Sequence, residues 1–141
     1  MLREFILSIL ETQSIYRRII HLKMREHHID LTFDMLLVLR SLNYSGPVNQ
    51  QELANRTYKD KSSLSYLIDN LEKRDLVKRE GDCNDKRSKV IIMTDKGNAL
   101  YAEIKKIIED VYDEMSQKED LSHVQLCIDY LKEFKQKLIE K

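Results

Sequence analysis

Lys61, Ser62, Ser63, Ser65, Tyr66 and Asn70 crowd one short polar stretch, and Asp85, Lys86, Arg87 and Lys89 crowd another a little further on. Hydroxyls, a phenol and an amide on one helix face can reach donors and acceptors on base edges, and the cations beside them attract phosphate. Arg87 has a planar cation that, at the tip of a two-stranded hairpin, can enter a narrow groove. Asp85 can fix the neighbouring basic side chains by charge-assisted hydrogen bonds. Two plainer readings compete. Ser62 and Ser63 could serve only a helix cap, and Arg87 could form a solvated ion pair worth about 0–1 kcal/mol.

The surrounding sequence supplies elements that would position both sets. Leu2 to about His27 carries Phe5, Ile6, Ile9, Leu10, Tyr16, Ile19 and Ile20 at three- and four-residue spacings, which predicts an amphipathic helix. A second helix opens at Thr32 and meets the breaker cluster Asn43-Tyr44-Ser45-Gly46-Pro47. Asn49 with Glu52 caps a third. Asp60 caps a fourth that runs to about Arg74, with Leu64, Leu67, Ile68 and Leu71 inward and the polar set outward. Asp75 falls where a helix commonly leaves through a left-handed residue. Leu76–Arg79 and Val90–Met93 read as strands around Gly81, Asp82, Asn84 and Asp85. Thr94 caps a long fifth helix with an apolar stripe through Leu100, Ile104, Ile107, Ile108, Val111 and Met115. Ser122 and Gln125 predict a second capping box, with Leu121 and Leu126 as staple, before a last helix carrying Cys127, Leu131, Phe134 and Leu138. The fold class expected is mainly α with a small two- to three-stranded β wing: a winged helix-turn-helix flanked by long terminal helices.

Composition narrows the function. The 141 residues suit one domain, with three Gly and one Pro to interrupt it. Lys plus Arg equal Asp plus Glu at 24 each, yet residues 56–89 hold ten basic against seven acidic side chains. The excess therefore lies on the segment expected to meet phosphate. No apolar run approaches the ~20 residues of a membrane span, so no membrane partner is expected. The N-terminal residues lack a secretion signal pattern, which leaves the cytoplasm as the expected location. Cys83 and Cys127 are too few for a disulfide framework. Cys127 on its apolar stripe reads as core, and Cys83 beside Asp82 and Asp85 is poorly placed to form a thiolate. His27 and His28 are adjacent, while His21 and His123 have no partner at ligand spacing, so no metal or other cofactor is expected. No nucleophile–base pattern, phosphate loop or paired acids suggest an enzyme.

With these elements placed, the chain resembles the multiple-antibiotic-resistance-regulator (MarR) family. The matching residues are Asn49-Gln50-Gln51-Glu52-Leu53-Ala54, Leu71-Glu72-Lys73-Arg74-Asp75-Leu76-Val77, and Asp85-Lys86-Arg87-Ser88-Lys89 running into Met93-Thr94 and Gly97. It departs at Asp75, where relatives usually have Gly. The resemblance implies a winged-helix homodimer that binds pseudopalindromic double-stranded DNA, usually as a repressor, and that is often released by a small aromatic or anionic effector. On that pattern residues 1–141 form a single domain, with 32–94 the DNA-binding lobe and 1–28 and 95–141 the dimerisation helices. Ile9, Leu131 and Phe134 would lie between subunits. Tyr16, Arg17, Ile20 and Met35 would line an effector cleft, although Tyr16 could equally be interface packing and Arg17 a solvated charge. A winged-helix module that binds protein rather than DNA is the alternative function, and a helical structural protein a third.

Overall fold

The computed structural model describes residues 1–81 and 89–140. It has two compact units, Met1–Ile107 and Ile108–Lys141. The elements in order are α1 (Leu2–Glu26), α2 (Phe33–Ser45), β1 (Val48–Asn49), α3 (Gln50–Arg56), α4 (Lys61–Lys73), β2 (Val77–Gly81), β3 (Lys89–Met93) and α5 (Asp95–Lys118). A 3-10 turn at Leu121–His123 and α6 (Val124–Ile139) complete the chain. The fold is mainly helical with a small antiparallel sheet in the order β1-β3-β2. Val48 pairs with Ile91, and Val77 pairs with Met93 down to Gly81 with Lys89.

Local side chains set most helix starts. Thr32 accepts the Met35 amide, Asn49 the Glu52 amide at 2.7 Å, and Asp60 the Ser63 amide at 2.7 Å. Each removes one orphan donor from a first turn. Thr94 caps α5 through the Gly97 amide, and its hydroxyl donates to the Asp75 carbonyl at 2.6 Å. Beneath these starts Leu39, Leu42, Leu53, Leu64, Ile68, Leu71 and Ile91 are fully buried, joining α2, α3, α4 and the sheet in one core. Ile20 and Met24 bring α1 into it.

Three helices leave through left-handed residues that carry side chains. His28, Tyr58 and Asp75 have φ of 58°, 54° and 61°. The next amide in each case reaches back five residues, as Leu76 N–H does to the Leu71 carbonyl at 3.0 Å. A left-handed residue with a Cβ is disfavoured relative to glycine, though Asp less than most. Asp75→Gly is therefore expected to stabilise the chain by about 0.5–1 kcal/mol, since relief of the native turn outweighs the added freedom of the unfolded chain. A chemical denaturation midpoint no higher than the parent's would refute this.

Helix α2 ends inside the breaker cluster as expected, at Ser45, with Gly46 at φ 74° beyond it. Three expectations near α6 change. Ser122 does not cap α6. Asp120 accepts the Ser122 amide at 2.9 Å to open the 3-10 turn, while Gln125 bonds Asp129 instead. Leu121 and Leu126 are both exposed, so no staple forms. Cys127 is exposed rather than core, and α6 has no buried residue in the single chain.

Candidate nucleic-acid interface

Helix α4 presents the face that its sequence divides. Leu64, Leu67, Ile68 and Leu71 are buried, while Lys61, Ser62, Ser63 and Tyr66 are exposed, with Tyr66 at 69%. Ser65 and Asn70 are half-buried. The Asn70 amide donates to the Tyr66 carbonyl at 2.9 Å, one turn back. Asp60 at the helix start is held below the usual carboxylate range, chiefly by the Ser63 amide that donates to it.

A cleft of about 280 Å3 runs beside α4, lined by Asn49, Gln50, Gln51, Lys61, Leu64 and Lys89 among others. It brings the start of α3, the start of α4 and the first residue of β3 to one place. Lys61 and Lys89, 28 positions apart, thus share one surface. Asp85, Lys86 and Arg87, like Cys83, lie outside the described residues.

Arg79 ties this surface together. Its Nη1 donates to Asp69 at 2.7 Å and to Glu72 at 3.2 Å, its Nε to Gln50 Oε1 at 3.2 Å, and its Nη2 to the Ser65 carbonyl at 3.3 Å. The Arg79 amide also donates to Glu72 at 3.1 Å. One guanidinium on β2 therefore fixes α3 and α4 at once, as its fork of donors allows. Sequence reasoning passed Arg79 over as one more hairpin cation. The period of a strand was the available signal, since Arg79 shares the inward side with buried Val77 while Lys78 points out.

A second cluster joins α1 to the turn before α4. The Asp34 carboxylate takes Lys59 Nζ at 3.0 Å and Arg17 Nη2 at 3.4 Å. Partial burial pushes the Asp34 carboxyl up, but Lys59 and Arg17 together outweigh it and hold it below its ordinary value. Arg17 also lies over the Phe33 ring at 4.9 Å, and Tyr16 meets that ring edge-on at 5.8 Å. Ile20 and Met35 are buried, so of the four expected effector residues only Tyr16 and Arg17 keep surface. Among the expected interface residues, Ile9, Leu131 and Phe134 are half-buried in the single chain. Phe134 stacks on Tyr130 with ring centroids 6.2 Å apart.

A polar-faced helix set on a helix-turn-helix, with a basic hairpin strand beside it, defines a winged-helix protein. Residues 31–89 match the model of the MarR family, so through this lobe the chain is similar to that family. It is 30% identical over 90 residues to the HTH-type transcriptional regulator SarZ of Staphylococcus aureus (strain USA300), an alignment covering 64% of this chain and 61% of SarZ. The chain thus spans less than two thirds of that curated relative's length. The fold superposes on AbsC, a MarR family transcriptional regulator from Streptomyces coelicolor, with a TM-score of 0.84 at 20% identity, covering 99% of this chain and 95% of AbsC. It superposes on reduced AbfR bound to DNA with a TM-score of 0.82 at 20% identity, covering 99% and 94%. Among the described residues no helix is long and apolar enough to cross a membrane, and no group of His, Cys, Asp or Glu could hold a metal ion.

Proposed function

We propose that this chain is a sequence-specific DNA-binding transcriptional regulator of the cytoplasm, a repressor that acts as a homodimer on a pseudopalindromic operator. The observation that carries the reading is the shared surface of α3, α4 and β3, where Lys61 and Lys89 flank the exposed hydroxyls and Tyr66 of α4. Lys61 and Lys89 meet phosphates, Ser62, Ser63, Ser65, Tyr66 and Asn70 face base edges, and Asp85, Lys86 and Arg87 carry the wing into the adjacent groove. Fluorescence anisotropy with the DNA upstream of the chain's own gene, across salt, tests this. A steep fall in affinity with salt, together with discrimination against scrambled DNA, is the expected result. Weak binding without sequence preference would favour the protein-interaction module instead. Arg87→Ala should weaken operator binding by about tenfold, the scale of one lost groove contact, and leave the fold intact. Unchanged affinity with unchanged salt slope would remove Arg87 from the interface.

The terminal helices form the dimer in this reading, with Ile9, Leu131 and Phe134 covered by the second subunit. Support comes from the 3-10 turn and α6, where Leu121, Val124, Leu126, Leu138 and Ile139 are all exposed in the single chain. Phe134→Asp places a charge in that seam and is expected to give monomer or unfolded protein by light scattering. A parent chain that is monomeric at micromolar concentration would end the dimer proposal. An effector acts at the α1–α2 seam through Tyr16 and Arg17, with Ile20 and Met35 as its packed floor, by competing for the Arg17–Asp34 contact.

A further inference from the structure

A separate concavity opens on the other side of α3, between the C-terminal half of α2 and the α3–α4 turn. It encloses about 500 Å3, within the ~300–1,000 Å3 of small-molecule sites. Leu37, Arg40, Ser41 and Tyr44 of α2 line it on one side, Arg56 and Tyr58 on the other. Tyr44 and Tyr58 are 91% and 80% exposed, and among the described residues neither they nor Arg40 have a ring, ion-pair or side-chain hydrogen-bond partner. Arg56 is held by Glu52 at 3.0 Å. No carboxylate lines the cleft itself. Tyr58 moreover keeps an aromatic ring at φ 54°, where glycine or asparagine would be the easier residue.

Two aromatic faces and two guanidiniums around one volume select a planar ring carrying a strong anion. A dianion suits the pair of arginines better than a carboxylate, because it relieves their mutual repulsion and accepts from both forks. Ser41 lies on the same lining and offers a hydroxyl contact for a sugar, while the Thr57 hydroxyl donates to the Leu53 carbonyl at 2.7 Å. We propose that this cleft binds a nucleotide, with its base against Tyr44 and Tyr58 and its phosphate on Arg40 and Arg56. The site lies apart from the seam of Tyr16 and Arg17 and does not depend on operator binding. Its occupant would brace the turn that ends in Lys59 and Asp60, immediately before α4.

Titration of the full chain with AMP, without DNA, by NMR or calorimetry tests the site directly. Saturable binding at about 1 mM or below is expected. Adenosine and inorganic phosphate should each bind at least about tenfold more weakly, because each keeps half of the contacts. Arg40→Gln and Tyr58→Gly should each weaken AMP by about tenfold, and Tyr58→Gly keeps the turn because glycine suits its conformation. Arg18→Gln, an exposed cation of α1 outside the cleft, should leave AMP binding unchanged. A short single-stranded oligonucleotide that binds more tightly than AMP, yet is lost with Tyr58→Gly, would assign the site to a strand rather than a free nucleotide. No saturation by AMP or by the oligonucleotide, or a loss on Arg18→Gln but not on Arg40→Gln, would overturn the proposal.

Discussion

Replacing Gly97 with alanine is expected to destabilise the chain by about 2–3 kcal/mol, in the range of overpacked cores. Helix propensity alone argues the other way, since alanine is favoured over glycine by about 1 kcal/mol inside a helix. Packing reverses the sign. A Cβ at Gly97 would run into the Leu76 carbonyl oxygen and come within 2.8 Å of Met93 Cγ. The methionine can move, but the carbonyl cannot, because it already accepts the Thr94 amide at 3.1 Å. Asp75 is fixed in the same corner by the Thr94 hydroxyl, and the Arg74 carbonyl by Lys96 Nζ at 3.1 Å. The start of α5 and the start of β2 must therefore part together. Urea unfolding would show a lower midpoint at an unchanged slope. A variant as stable as the parent would mean that the corner has room the structure does not show.

Arg79→Ala should abolish most operator affinity, by tenfold or more, while costing only about 1–2 kcal/mol of stability. The stability loss is small because Asp69 and Glu72 are 53% and 42% exposed and water can take over their charges. The affinity loss is larger because α4 and the wing must keep their relative placement to within a fraction of an ångström for contacts to form together. Arg79→Lys should not rescue it. A point charge on a flexible stem cannot hold Gln50, Asp69, Glu72 and the Ser65 carbonyl at once. Operator affinity and melting temperature measured on both variants separate the effects. A lysine variant that binds like the parent would show that charge alone, and not the fork, is what the lobe requires.

The helix starts were legible because a cap is a local transaction. Thr32, Asn49, Asp60 and Thr94 each bond an amide three residues on, and that spacing is written in the chain. The split face of α4 and the left-handed exit at Asp75 were readable for the same reason. Arg79 was not, because its side-chain partners lie 7 to 29 positions away. Strand β1 is only two residues long, too short to show alternation, and its Asn49 doubles as a helix cap. At α6 two acceptors, Asp120 and Ser122, stand near the start, and it is Asp120 that accepts an amide, at the head of a 3-10 turn. Cys127 follows the period of a buried stripe, yet nothing within the single chain covers it.

Asp34 makes the distance between α1 and α4 very short in mechanical terms. Arg17 on α1 and Lys59, the residue before the α4 cap, hold opposite sides of one carboxylate. Beside the packing of Ile20 and Met24 in the core, a shift of α1 reaches the residue before the α4 cap through this one carboxylate. That strut is proton-sensitive in a defined direction. The Asp34 carboxyl lies below its unfolded value of 3.8, so its contribution is complete above that value and is lost as pH falls through the folded one. At neutral pH the carboxylate is ionised and both ion pairs of the strut are in place.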